Sequence, residues 1–364
     1  MSKIFTSIGL MSGTSLDGID IALIKTDGEK LVERGPSATF PYDQTQQNIL
    51  RQALIEAKEI TERSQRPRRL ASTETSLTVW HVEAVHKFLD QNRLTPSNID
   101  LIGFHGQTVI HKPEEHLTVQ MGDGARLAKE LGIDVIYDLR AADMAADGQG
   151  APLVPAYHRA LAPETPIAFV NIGGVANVTH IASDGNLTAF DTGPGNALIN
   201  DWVKHHGGGN FDNGGNIAAK GRISVGHLKA ALASEYFSKR PPKSLDRNDF
   251  AHLDFSELNL EDGAATFTAF TAHSIARAAH WFHEPVKKWV ICGGGRHNAT
   301  LMNMLREILP NVKSAEEENL NGDSMEAEAW AYLAVRSLLK LPITFPGTTG
   351  VKVEMTGGIL TKAT

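Results

Sequence analysis

The sequence predicts an α/β protein built as two lobes, and three observations carry that reading. Strand-like runs alternate with helical periodicity along the chain, the pattern of sheets flanked by helices. Both halves open with a β-hairpin signal whose turn is made of small residues, SGTSLD (Ser12–Asp17) in the first and Gly173-Gly174 in the second. A composition shift at AADGQGAPLVP, Ala145–Pro155, separates them. This is one duplication, not an array of short repeats. Two domains suit a chain of 364 residues at about 150 residues per domain. The expected boundaries are a first lobe of residues 1–145 plus the tail 341–364, and a second lobe of residues 146–340.

Each element has its own signal. KIFTSIGLM (Lys3–Met11) and GIDIALIKT (Gly18–Thr26) are β-branched and apolar and flank the first turn. QNILRQALIEAKE then places Ile49, Leu50, Ala53, Leu54 and Ala57 on one helical face. TERSQRPRRLAS follows with four arginines and a proline. A solvated linker is the better reading there than an anion patch, because the whole chain is acidic. A second helix runs near Thr75–Leu89. The strands IDLIGFHG, LTVQM and IDVIYDL come next, with a helical GARLAKELG between the last two. The second half begins with the hairpin Ile167–Ile172 and Val175–Ile181, and a third strand, LTAF, ends at Asp191. Helices are expected near Asn196–His205, Ser224–Tyr236 and Ala264–Phe282. A strand ending in three glycines, KWVICGGG, leads to the helix LMNMLREIL, and a last helix, Ser324–Lys340, precedes a Gly/Thr-rich tail.

Composition narrows the function. Lys+Arg 35 against Asp+Glu 42 leaves a net charge of −7, which argues against a dedicated nucleic-acid binder. Apolar residues at 41% and charged residues at 21% are ordinary for a globular chain with a sizeable core. The single cysteine, Cys292, excludes an intramolecular disulfide framework and any multi-cysteine zinc site. The longest uncharged stretch, Thr165–Ser183, contains Asn171, Asn177, His180 and two glycines, a poor fit to lipid. The first residues make a poor signal peptide, so the cytoplasm is the expected location.

Phosphate is held by backbone N–H groups with no side chain in the way, which small residues at turns provide. Three turns qualify: Ser12–Gly18, Gly173-Gly174 and Gly293–Gly295. One Gly-Gly pair alone is most often only a turn. Three, each directly after an apolar strand, point to a nucleotide: two hairpins for the β- and γ-phosphates and one element for the adenosine side. GxGxxG and GxxxxGK[ST] are absent, against the Rossmann and P-loop readings.

Asp191 stands at a strand's end before TGPG, with Asn196 placed to cap the next helix. Open α/β sheets place their ligands there, and a carboxylate in that position can take a proton from a hydroxyl or a water. An Asx-turn explains it equally well. Asp17 suits magnesium held through water, although turn chemistry in SLDG is the better of the two readings. Asp323-x-x-Glu326 has capping-box spacing, and a ligand contact by Glu326 is the alternative. His105 and His111 flank GQTVI without a zinc-type spacing. His105 reads equally as a hydrogen-bonded strand-end residue.

The string GLMSGTSLDGIDIALI closely resembles the N-terminal signature of the anhydro-N-acetylmuramic acid kinases. The resemblance continues through FHGQT, DLRAADMAADGQGAPLVPAYH, FVNIGGVANVT, FDTGPGNALIND, NFDNGGNIAAKG, PPKS and ICGGGRHN, in the family's order over essentially the whole chain. It implies the fold of the sugar kinase, Hsp70 and actin superfamily: two ribonuclease-H-like lobes with ATP and Mg²⁺ in the cleft. The implied reaction hydrolyses the 1,6-anhydro ring of anhydro-N-acetylmuramic acid and phosphorylates O6. Its product is N-acetylmuramic acid 6-phosphate, in recycling of murein. By the family's pattern Asp191 is the general base that deprotonates the attacking water. Ser12, Gly13, Thr14, Ser15, Leu16, Asp17, Gly18 and Ile19 form the first phosphate-binding hairpin. Gly173 and Gly174 resemble the second, and Gly293, Gly294 and Gly295 the adenosine element. Substrate contacts map onto His105, Gln107, Thr108, Arg140 and Glu326, and the family's habit implies a homodimer.

Two departures stand out. The family usually shows Gly where Asp147 stands, and Thr-Gly where Leu245-Asp246 follows PPKS. Both lie in loops and replace no residue assigned to chemistry. Two other functions remain open for the residues alone. One is an ordinary sugar or carboxylate kinase acting on a free hydroxyl. The other is an actin- or Hsp70-like ATP-driven clamp, disfavoured by the short tail after Lys340.

Overall fold

The computed structural model describes residues 3–13, 15–246 and 248–363. The chain divides into two compact units, Met1–Leu161 with Ser324–Thr364, and Ala162–Asp323. In chain order, unit 1 begins with β1 (Phe5–Ser12), β2 (Gly18–Thr26), β3 (Val32–Pro41), α1 (Gln44–Glu56) and α2 (Leu70–Gln91). It continues with β4 (Leu101–Lys112), β5 (Leu117–Met121), α3 (Gly124–Leu131), β6 (Val135–Tyr137), α4 (Ala141–Ala145) and α5 (Pro155–Leu161). Unit 2 holds β7 (Ile167–Ile172), β8 (Val175–Ile181), β9 (Leu187–Pro194), α6 (Ala197–His205), α7 (Val225–Leu232), α8 (Leu260–Arg277), β10 (Lys288–Cys292), α9 (Ala299–Ile308) and β11 (Val312–Ser314). The chain then returns to unit 1 with α10 (Met325–Leu338), α11 (Pro346–Thr349) and β12 (Ile359–Thr361).

The two sheets repeat one topology. In unit 1 the order β3-β2-β1-β4-β6 is antiparallel across the first three strands and parallel across β1, β4 and β6. In unit 2 the order β9-β8-β7-β10-β11 has the same senses in the same places. A hairpin, a third antiparallel strand and two parallel strands on the far side of the first make a ribonuclease-H-like sheet. Unit 1 adds β5 beside β4 and β12 beside β6.

The strand β3 has no strong signal in the sequence. VERGPSATFP is polar and mostly exposed, as suits an edge strand carrying a proline. Among the helices, periodicity overruns two ends. Ser224–Tyr236 is α-helical only through Leu232, and Ala264–Phe282 only through Arg277; each then gives way to a 3₁₀ turn. The arginine-rich linker is neutralised locally, with Arg63 paired to Asp138, Arg66 to Glu74 and Arg68 to Glu59.

Helix α10, which the sequence reading placed in the second lobe, packs in unit 1 against β1, β2 and β4. Gly9 and Gly103 are register partners on adjacent parallel strands. A methyl at either would overlap a backbone oxygen, Ala327 O or Trp330 O. The two glycines therefore form a trough in which the helix backbone lies directly on the sheet. Ser7 Oγ donates to Ala331 O (3.0 Å) and fixes the helix there. Asp147 has a left-handed φ of +65°, which accounts for the family's usual glycine; aspartate tolerates that region better than most residues.

Candidate active site

Unit 2 carries the predicted carboxylate. Asp191 lies within β9 opposite Asn177, and the strand runs on to Pro194 instead of ending at the aspartate. β9 is an edge strand, so its outer backbone groups need other partners. The segment after α7 supplies them. Asp191 N–H donates to Lys243 O (3.0 Å), and the Tyr236 hydroxyl donates to Asp191 O (2.5 Å). Leu245 N–H donates to the carboxylate at Oδ2 (2.8 Å). Oδ1 has no protein partner among the described residues. Burial pushes the carboxyl up to about 7, against the pull of the Leu245 N–H.

The chain leaving Asp191 holds the second glycine turn. Gly195 N–H donates to Gly174 O (2.9 Å), and Asn196 N–H to Gly173 O (2.7 Å). Asn196 was expected to cap α6 with its side chain; its Nδ2 instead donates to Ile172 O (3.1 Å). The third element lies close by. A methyl on Gly293 would run into the Asn171 side chain and Ile172 O, and one on Gly295 into the Ile172 side chain. Arg296, nearly buried, ties this turn to the loop after β11. It pairs with Glu316 (2.8 Å) and Asp323 (2.8 Å) and donates to Gly293 O (3.0 Å). Asp323 is therefore an ion-pair partner here and not the capping residue expected for α10, whose N-cap position is Ser324.

The glycines of these turns divide into two kinds. Gly173 and Gly174 have no left-handed φ. A methyl there would meet nothing nearer than Val175 O at 3.6 Å and Ala197 Cβ at 3.8 Å. Gly13 and Gly294 are equally open, with nearest atoms at 3.5 and 3.9 Å. Gly293, at φ +70°, and Gly18, against Phe40 O, are required by the fold itself. The first four are glycines for which the fold has no use.

Unit 1 brings the first turn together with the FHGQT strand. Ser12 Oγ donates to Gln107 Oε1 (2.6 Å) and also meets the Tyr42 hydroxyl (2.8 Å). Gln107 Nε2 donates to Gly13 O (3.1 Å). Leu16 is buried with a left-handed φ of +56°, and its N–H donates to Gly13 O (3.2 Å). Asp17 is exposed, with Oδ1 taking the Ser15 hydroxyl (2.7 Å), while Gly18 and Ile19 are buried in β2. Thr14 lies outside the described residues.

A second cluster in unit 1 surrounds Arg140. Its Nη2 lies 3.1 Å from His105 Nε2, its Nη1 donates to Gly150 O (2.8 Å), and its guanidinium lies 5.3 Å from the Trp330 ring. Burial brings Arg140 down to about 10, with Glu326 and Asp143 holding it up. Burial and Arg140 drive His105 well below the usual histidine range, so it stays neutral and accepts at Nε2. His105 also stacks on Trp330 at 4.4 Å. Thr108 is further from it, at 3.5 Å. His111 meets Thr118 (2.9 Å) and is no part of the cluster. Buried Asp143 holds the loop beneath through Gly150 N–H (2.6 Å). No group of three metal-type side chains occurs among the described residues.

Several of these residues carry no signal of their own in the sequence. Tyr42, Tyr236 and Trp330 act through the fold. Asp143 and Lys243 sit inside the recognised strings DLRAADMAADGQG and PPKS, where a charged residue amid small or proline residues was the available clue.

In unit 2, a side-chain-poor glycine turn on the same sheet as a mostly buried carboxylate is equipment that suits a kinase. The chain belongs to the anhydro-N-acetylmuramic acid kinase family, whose model matches residues 5–363. It is 51% identical to the anhydro-N-acetylmuramic acid kinase of Agrobacterium fabrum (strain C58 / ATCC 33970), with 100% of both chains covered. It is 52% identical to that of Rhodopseudomonas palustris (strain ATCC BAA-98 / CGA009), covering 98% of this chain and 99% of the relative. Among solved structures, component A of the Acidaminococcus fermentans (R)-2-hydroxyglutaryl-CoA dehydratase aligns over 92% of this chain and 100% of its own, at 13% identity and a TM-score of 0.49. No helix among the described residues is long and apolar enough to cross a membrane.

Proposed function

We propose that this kinase couples hydrolytic opening of 1,6-anhydro-N-acetylmuramic acid to phosphorylation of the O6 so released, giving N-acetylmuramic acid 6-phosphate for murein recycling. The observation that carries the reading is Asp191. Among the described residues its carboxylate has one N–H donor and one unengaged oxygen, and burial raises its pKa to about 7, suited to a base that works near neutral pH. Asp191 takes a proton from a water as that water attacks the anomeric carbon. The bond from that carbon to O6 breaks with its electron pair going to O6. O6 attacks the γ-phosphorus, and ADP leaves with the electrons of the broken P–O bond. A glycosidase would need a second carboxyl as acid; here the γ-phosphoryl group captures the leaving oxygen.

The open glycines Gly13, Gly173, Gly174 and Gly294 support assigning the turns Ser12–Ile19 and Gly173-Gly174 to the phosphates of ATP and Gly293–Gly295 to the adenosine. Phosphoryl transfer relies mainly on positioning and charge neutralisation. Mg²⁺ bound with the nucleotide supplies part of that neutralisation. Asp17, exposed and with Oδ2 unpaired among the described residues, would hold it through water, as suits an ion that keeps most of its hydration. The Arg140 guanidinium, kept charged with the help of Glu326 and Asp143 and aimed by His105 and Gly150, suits the lactyl carboxylate of the sugar. Glu326 and Thr108 are placed near it for the sugar's hydroxyl and amide groups. A homodimer in the cytoplasm is the state assigned.

The test is turnover in ¹⁸O water with mass spectrometry of the product. One ¹⁸O at the anomeric position, read before exchange through the open-chain sugar, supports coupled hydrolysis. Turnover of free N-acetylmuramic acid without any on the anhydro sugar would make the chain an ordinary sugar kinase. Near-normal turnover by folded Asp191→Asn would remove the base assignment.

A further inference from the structure

We propose that Lys243 is a positioning residue for the general base, anchoring a strap of residues 242–245 that aims and tunes the Asp191 carboxylate. The proposal rests on the reading of Asp191 as base and gives a role to PPKS, which the chemistry above leaves unused.

The geometry forms a closed triangle. Asp191 N–H donates to Lys243 O, Lys243 Nζ donates to Tyr236 O (3.0 Å), and the Tyr236 hydroxyl donates back to Asp191 O. Both backbone groups of Asp191 are therefore held by this triangle. Lys243 is only 8% exposed. Its ammonium makes no ion pair among the described residues; it lies 4.5 Å from the Tyr236 ring centre, 5.5 Å from Trp281 and 5.6 Å from Phe190. Withdrawing an ammonium from water is costly unless something compensates. Three rings and one carbonyl compensate here, and what they fix is the course of the chain two residues on. That course presents Leu245 N–H to Asp191 Oδ2, the only hydrogen bond the carboxylate receives among the described residues.

The same geometry explains a departure from the family. Position 245 acts through its backbone, so leucine in place of the usual threonine leaves the contact intact. The neighbouring Asp246 takes part in a local turn, accepting from Asn248 N–H (2.8 Å). Among the described residues, the titratable groups packed around Asp191 are Tyr236 and, at its backbone, Lys243, with Asp249 acting on Tyr236 and Lys239 on Lys243.

The Leu245 N–H favours the charged carboxylate, so its loss raises the pKa of the base. Activity that needs the ionised base then appears only at higher pH. The experiment measures kcat/KM for the anhydro sugar against pH in the parent, Lys243→Met, Leu245→Pro, Tyr236→Phe and Asp191→Asn. For Lys243→Met and Leu245→Pro the expected acid limb lies about one pH unit above the parent's, as loss of one hydrogen bond to a charge implies. kcat at the optimum falls on the order of 10-fold, and KM for ATP stays within about twofold. Tyr236→Phe, which removes one oxygen and keeps the ring, moves the limb in the same direction by less and reports even where Lys243→Met fails to fold. Folded variants that lose rate with the limb unmoved, beside an inactive Asp191→Asn, overturn the strap's role alone. An active Asp191→Asn overturns the base assignment and the strap with it.

Discussion

Ser12 Oγ donates to Gln107 Oε1 at 2.6 Å, and both residues are completely buried. Gln107 Nε2 donates to Gly13 O (3.1 Å) and Thr108 O (3.4 Å), so both of its N–H groups are engaged within the protein. The family resemblance implies a substrate contact for it; its contacts with Ser12 and Gly13 favour a role in holding the first turn. Gln107→Ala is expected to raise KM for ATP about 10-fold, the effect of one or two lost buried hydrogen bonds. KM for the anhydro sugar should move by less than about twofold. Two-substrate kinetics decide it: a larger change on the sugar side returns Gln107 to the substrate contacts.

Room for a methyl separates the glycines into testable groups. Gly173→Ala meets no atom closer than 3.6 Å and needs no unusual φ. It should melt within a few degrees of the parent yet, if the turn holds phosphate as proposed, bind ATP at least 10-fold more weakly, since the added carbon would occupy the open space assigned to phosphate oxygens. Gly293→Ala carries the opposite expectation. A left-handed φ and the collision with Asn171 cost about 1–3 kcal/mol, so its melting temperature falls whether or not nucleotide is present. Calorimetry with and without ATP distinguishes the two.

The hairpins, the alternation of strands and helices, and the small-residue turns were legible in the sequence because each is a local pattern. The membership of α10 was not. Nothing local tells which sheet a helix covers; only the pairing of Gly9 with Gly103, residues far apart in sequence, makes the trough it fills. Edge strand β3 was hidden for the opposite reason, its polar composition being what an edge requires. Asp191 was singled out by its setting, but its hydrogen bond from Leu245 N–H was invisible, since a backbone donor leaves no mark in the residue type. Likewise Asp323 and Asn196 had the right spacing for caps, and longer-range partners, Arg296 and Ile172 O, took their side chains instead.

The raised pKa of Asp191 implies a stability cost with a definite sign. The folded value, about 7, lies above the ordinary aspartate value of 3.8, so the folded state binds the proton more tightly than the unfolded one. Stability from this group is greatest below the unfolded pKa and is lost as pH rises through the folded one. Replacing it by a neutral isostere removes that loss. Asp191→Asn should therefore melt above the parent at pH 8, with the margin narrowing towards pH 5, while being inactive throughout. That is the usual trade of stability for a poised site. Thermal melts across that range check it; an equal margin at both ends would mean that the carboxyl is not perturbed in the folded state.

Arg140 offers the sharpest test of the sugar assignment, because its guanidinium serves two tasks at once. Toward the protein it reaches His105 Nε2 and Gly150 O; the N–H groups left over are those proposed for the lactyl carboxylate. A lysine keeps the charge but cannot span all three partners. Arg140→Lys should raise KM for the anhydro sugar about 10- to 100-fold, the range for a lost hydrogen bond between charged groups, and leave KM for ATP nearly unchanged. The acceptor 1,6-anhydro-N-acetylglucosamine lacks the lactyl group. On it, parent and variant should be equally poor, since the interaction that distinguishes them is gone from both. An equal penalty on both acceptors would instead mean that Arg140 acts by holding the Gly150 loop, and the carboxylate would have to be sought on another side chain.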